Sequence, residues 1–140
     1  MLDSSNPNSW SSAVERHLDR STADFSFTQE TKAREDKIDA LALAAWRRGW
    51  STFFGPAKAT PLGGTSGGVA VSARKGIGLT PHPHFDEGFR HRLACAWAGG
   101  IMRGGVHLVS VYLQDSIGMT AGNIVVMEQL AAHLASLRGP

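Results

Sequence analysis

The feature that most constrains this chain is a change of hydrophobic period along its length. Stretches of period 3.6 and period two alternate in the first half, whereas short apolar runs prevail in the second until a closing helix. Asp24-Phe25-Ser26-Phe27-Thr28 alternates polar and aromatic side chains, as a strand with one buried face does, and ends at Gln29-Glu30. Ahead of it, Trp10, Ala13, Val14, His17 and Leu18 share one helical face over residues 10–20, with Ser12 and Glu15 at capping-box spacing. Behind it, Ile38, Leu41, Ala42, Ala45 and Trp46 predict a helix over residues 34–48, with acids early, Arg47-Arg48 late and Gly49 as the stop. Trp50-Ser51-Thr52-Phe53-Phe54 predicts a strand closed by Gly55-Pro56, and residues 60–66 a Gly-rich loop.

In the second half, residues 68–73, 93–98 and 106–113 are β-prone, and the last two runs flank a Gly-rich hairpin connection over residues 99–105. Residues 123–137 predict a closing helix capped by Asn123, with Ile124, Met127, Leu130, Ala131, Leu134 and Leu137 as its apolar stripe. No repeat or linker divides the chain, so a single domain is expected over residues 1–140. Helices early and an antiparallel hairpin in the middle imply a layered α/β sandwich with a mixed, largely antiparallel sheet, not a parallel Rossmann sheet.

Composition narrows the function classes. At 42% hydrophobic and 19% charged residues the chain should fold as a globular protein. Its net charge of +2 arises beyond residue 60, where six Lys/Arg face four Asp/Glu, against eight of each before it. That excess is too small for polyanion binding by charge alone, and Arg90-His91-Arg92, the nearest thing to a basic stripe, reads as a solvated strand start. Cys95 is the only cysteine, which excludes an internal disulfide; within Leu93-Ala94-Cys95-Ala96-Trp97 it reads as a small buried hydrophobe, not a nucleophile. The absence of an apolar span or signal-like start makes an intracellular, soluble protein the expectation, with no membrane partner.

Four motifs in order carry a resemblance: Asn6 to Trp10; Ala23 to Lys32 with Gln29-Glu30-Thr31; Gly67-Gly68-Val69-Ala70-Val71; and Val109-Ser110-Val111-Tyr112-Leu113. Together they resemble the N-terminal half of the endonuclease/exonuclease/phosphatase superfamily, nearest in look to its retrotransposon-type and abasic-site-type endonucleases. The resemblance implies hydrolysis of phosphodiesters in the complete domain, with DNA as the expected partner and Mg2+ or Mn2+ as cofactor. It assigns the metal ligand to Glu30, whose structural alternative is a solvated carboxylate at a strand end. Asn6 would orient that carboxylate, with Asn8 as a competing candidate; only five residues precede Asn6, among them Asp3, Ser4 and Ser5, so the apolar first strand should be mostly missing. Tyr112 would approach the scissile phosphate, or equally would pack its ring with the hydroxyl wet. Its continuation, Tyr112-Leu113-Gln114-Asp115, departs from the family's Tyr-x-Pro-Asn.

The family's Gly-Asp-x-Asn and Ser-Asp-His motifs do not occur between the closing helix and Pro140. The chain is therefore expected to be an inactive part of such an enzyme, marginally stable or self-associating through an uncovered sheet edge. The alternative is a noncatalytic interaction module built on the half-fold. His82-Pro83-His84 has no third ligand within sequence reach and reads as no metal site.

Overall fold

The computed structural model describes residues 1–83 and 85–137. In chain order its elements are β1 (Leu2–Ser5), α1 (Ser12–Arg20), β2 (Phe25–Gln29), α2 (Ile38–Arg47), β3 (Trp50–Gly55), β4 (Lys58–Ala59) and β5 (Thr65–Ser66). There follow β6 (Val69–Arg74), β7 (Leu79–Pro81), β8 (Leu93–Ala98), β9 (Val106–Val111) and α3 (Ala121–Ser136), with a 3-10 turn at Asp115–Ile117. One sheet has the order β1-β2-β6-β3, with β1 parallel to β2 and β6 antiparallel to both of its neighbours. The other is antiparallel β7-β8-β9, and β4-β5 is a small separate ribbon. The architecture is thus mixed α/β with an open mixed sheet, as the hydrophobic periods imply.

The two main sheets stack through one core. Phe25, Val69, Val71 and Ala73 face Ala94, Ala96, Ala98 and Leu108 there, all buried. Alternation on β8 directs its alanines inward, and their small side chains let the sheets approach closely. On the far side of the first sheet, Val14 and Leu18 of α1 pack with Ala45 and Trp50, and the Trp50 indole N–H donates to the Leu18 carbonyl at 3.1 Å.

Four expectations need correction. First, β1 is present despite its polar sequence. Pairing to β2 uses the backbone, and the Asp3 carboxylate is held by His17 and by the Ser21 hydroxyl at 3.3 Å. Second, α1 starts two residues late. Ser11, not Ser12, is its N-cap, accepting from the Ala13 N–H, and Trp10 stays outside to meet Phe54 edge-on at 4.8 Å.

Third, α2 begins at Ile38 and α3 at Ala121, and Asn123 lies inside α3 instead of capping it. The face α3 buries carries Asn123 and Val126, while Ile124, Met127 and Leu134 are exposed. Polar anchoring, not apolar periodicity, sets this helix's rotation. Fourth, Arg92 is buried, not solvated. Its guanidinium donates to the Tyr112 carbonyl at 3.3 Å, the Gly122 carbonyl at 3.3 Å and the Asn123 side-chain carbonyl at 2.6 Å. No described helix is long and apolar enough to cross a membrane.

Candidate functional site

Strand register assembles one corner of the sandwich. Because Ser5 on β1 is level with Thr28 on β2, the residues that follow each strand, Asn6 and Glu30, come side by side. The Asn6 side-chain amide donates to Glu30 Oε1 at 3.4 Å, and the Ser4 hydroxyl donates to Gln29 Oε1 at 3.4 Å. Asn6 is exposed and Glu30 half-buried, so the carboxylate meets solvent from a rigid strand end.

Glu30 and Lys32 have φ values of 52° and 51°, in the left-handed region that costs a side chain of this kind about 1 kcal/mol or more. Backbone bonds hold the turn in place. The Thr31 and Lys32 N–H groups donate to the Gly68 and Gly67 carbonyls at 3.0 and 2.9 Å, and the Trp10 N–H donates to the Thr31 carbonyl at 2.6 Å. Gly68 has no substitute here: at φ +89° any Cβ would lie 2.4 Å from the Thr31 hydroxyl. The glycine pair therefore fixes the direction in which Glu30 leaves β2.

Tyr112 follows β9 on the same rim. Ser110 of β9 donates to the Thr28 carbonyl and accepts from the Gln29 side-chain amide, each at 3.4 Å, so β2 and β9 end together. The Tyr112 ring packs against the inter-sheet core, with the Arg92 guanidinium 5.9 Å from its centroid. Asn123 ties down the loop beyond Tyr112: it accepts from the Gln114 N–H at 3.0 Å and donates to the Gln114 and Gly118 carbonyls at 2.8 and 2.5 Å. Sequence reasoning missed Arg92 and Asn123 because their pairing spans 31 positions; nothing local distinguishes a buried arginine from a solvated one.

A concavity of about 830 Å3 lies beside this rim. Arg34, Lys58, Arg90 and His91 line it, with Glu35 and Glu87 opposing them, and neither Glu30, Asn6 nor Tyr112 contributes. Both terminal Arg90 guanidinium nitrogens donate to Glu35, at 3.1 and 3.0 Å, so the groove is not a free cationic track. Burial, with Arg92 and Lys58 nearby, pushes the His91 imidazole down to about 4. The Gly68 N–H donates to the His91 carbonyl at 2.7 Å, which links this imidazole's loop to the turn beneath Glu30.

The Cys95 thiol is buried and pushed up to about 11 by that burial, which makes it inert as a nucleophile. Burial and neighbouring imidazoles also lower the pKa values of His82 and His133. His84 lies outside the described residues.

Three solved structures share this arrangement, and each is a nuclease. The chain is similar to the 3'-5' exonuclease NExo from Neisseria meningitidis, with a TM-score of 0.63 and 20% identity over 96% of this chain and 50% of that one. It is similar also to an AP endonuclease from Archaeoglobus fulgidus, with a TM-score of 0.66 and 17% identity over 98% and 52% of the two chains. A third likeness is to the AP endonuclease LMAP from Leishmania major, with a TM-score of 0.58 and 18% identity over 96% and 44%. The chain therefore has the endonuclease/exonuclease/phosphatase fold, and it spans about half the length of each of these structures. No family model matches the sequence, and no curated protein does.

Proposed function

We propose that this chain carries the metal-ligand rim of a divalent-metal phosphodiesterase acting on DNA. Glu30 is the ligand for Mg2+ or Mn2+, Asn6 orients its carboxylate, and Tyr112 meets the phosphate from the same rim. The observation that supports this most is the strained turn at residues 30–32, a backbone the surrounding hydrogen bonds enforce although its side chains disfavour it.

The donor set fits a hard divalent ion in minimal form. Mg2+ takes few carboxylates and completes its shell with water and substrate oxygens, and Glu30 presents one half-buried carboxylate with a neutral amide beside it. When bound, such an ion supplies Lewis-acid stabilisation of charge developing on the phosphate. Asn6 engages one carboxylate oxygen and so turns the other outward. Arg92 holds the backbone of Tyr112, which limits where its hydroxyl can reach.

Hydrolysis also needs a base for the attacking water. Among the described residues Glu30 is hydrogen-bonded to Asn6, with no imidazole or second carboxylate on it. The chain on its own is therefore expected to bind metal without turnover. Manganese binding, read by the electron-spin signal of free Mn2+, should weaken at least tenfold in Glu30→Gln, while supercoiled plasmid stays intact with Mg2+ or Mn2+. Nicking that Glu30→Ala abolishes would overturn the inactivity; Mn2+ affinity unchanged in Glu30→Gln would overturn the metal assignment.

A second reading, association with another copy of the chain, is favoured by β1 and β9 standing at sheet edges and by the exposed Ile124, Val125 and Met127 of α3. Sedimentation across a hundredfold concentration range would show a dimer if it holds and a monomer if it does not.

A further inference from the structure

The outer face of the three-stranded sheet gathers groups for which the phosphodiesterase reading has no use. With Ala94, Ala96 and Ala98 turned into the core between the sheets, Cys95 points the other way. Register sets His107 of β9 opposite Trp97, on the same face as Cys95. His82 follows directly on β7, where its backbone N–H donates to the Cys95 carbonyl at 3.0 Å. His133 reaches the group from the last turn of α3.

One ligand atom from each of His82, Cys95 and His133 lies within 4.8 Å of the other two, and His82 Nε2 is 3.1 Å from His107 Nδ1. His133 Nε2 is buried and finds no hydrogen-bond partner among the described residues. A buried imidazole nitrogen left unsatisfied is costly, and here it sits beside a thiol and further imidazoles. A shallow depression lined by Pro83, Phe85, Gln129 and His133 opens next to it and gives an ion a route in.

We propose that His82, Cys95 and His133 form a zinc site that clamps α3 onto the second sheet, with water or His107 in the fourth position. Zinc is the fitting ion because thiolate and imidazole donors suit it, whereas Mg2+ prefers oxygen. Bond lengths of about 2.0 to 2.3 Å in a tetrahedral zinc site place ligand atoms roughly 3.3 to 3.8 Å apart. The group must therefore contract by about 1 Å, within reach of side-chain rotation. Binding forms the Zn–S bond, breaks the Cys95 S–H bond and releases that proton to solvent, with no change of oxidation state.

The site is separate from Glu30, and the test keeps the two apart. The full chain, stripped with a chelator, is titrated with Co2+ and then with Zn2+. Expected are one equivalent of tetrahedral Co2+ with a near-ultraviolet thiolate charge-transfer band, displacement by Zn2+, and close to one proton released per Zn2+ at neutral pH. Cys95→Ser should lose the band, His133→Gln should weaken Co2+ binding at least tenfold, and Glu30→Gln should leave both unchanged. Binding without a thiolate band, or affinity unchanged in His133→Gln, would overturn the proposal. So would the absence of proton release in the wild-type chain, a readout that does not depend on any variant folding.

Discussion

The two outer faces of the sandwich are covered by different means. On the four-stranded sheet, α1 and α2 bury Val14, Leu18, Ala45 and Trp50 in one cluster and pack Ile38, Leu41 and Trp10 around Phe54 in another. On the three-stranded sheet, α3 buries Asn123 and Val126 and leaves Ile124, Val125, Met127 and Leu134 more than a third exposed. The first layer rests on area removed from water, which is non-directional and falls off gradually as side chains shrink. The second rests on a pinned polar network, which is directional and leaves buried polar groups short of a partner when one member is removed. A helix apolar on most sides can thus turn a polar stripe inward when a buried arginine waits there.

The largest effect should fall on the first layer. Leu18→Ala removes a fully buried side chain beneath Trp50 and should cost about 3 to 5 kcal/mol in urea unfolding. The matched truncation on the second layer, Met127→Ala, should stay within about 0.5 kcal/mol. Equal losses at the two positions would break the contrast.

Next in size is Asn123→Leu, which adds apolar surface to α3 and yet should destabilise by about 2 to 3 kcal/mol, because Arg92, Gln114 and Gly118 each lose a hydrogen bond. A neutral or stabilising leucine would mean that α3 is held by ordinary apolar packing after all.

A further effect concerns acid. His91 titrates near 6.5 when unfolded and is pushed down to about 4 in the fold, so the unfolded chain takes up the proton first. Its contribution is therefore complete above pH 6.5 and is lost progressively as pH falls toward 4. Hydrogen exchange should show the amides of Gly68, bonded to the His91 carbonyl, and Lys32, bonded to the Gly67 carbonyl, losing protection before that of Trp50. His91→Gln should flatten this acid limb, and an unchanged limb would place its origin elsewhere.

How much of this was legible in the sequence follows from how local each determinant is. Strands β2, β3, β8 and β9 announced themselves through alternation or through short apolar runs bounded by turn residues, and the exit of β2 at Gln29-Glu30 was readable together with its resemblance. The first strand was not, because Asp3, Ser4 and Ser5 give no apolar alternation and an edge strand needs none. Strands β4, β5 and β7, of two or three residues, are too short to carry a period. The stripe assigned to α3 was the wrong one because helical periodicity counts apolar residues and cannot see Arg92 across the loop. His82, Cys95 and His133 come from a strand exit, a central strand and a helix, so no spacing motif joins them. The corner itself was half legible: Asn6 and Glu30 were named in advance, whereas the strained turn and the glycine pair beneath it needed the backbone.

The central claim is that the Asn6–Glu30 corner receives a divalent ion. It is tested most directly by adding Mn2+ to isotope-labelled protein, with zinc saturating the second sheet's cluster, and mapping paramagnetic broadening of backbone amides. The account predicts broadening centred on residues 5–7, 29–32 and 67–68 that vanishes in Glu30→Gln. Broadening centred elsewhere, or persisting at this corner without the carboxylate, would contradict it.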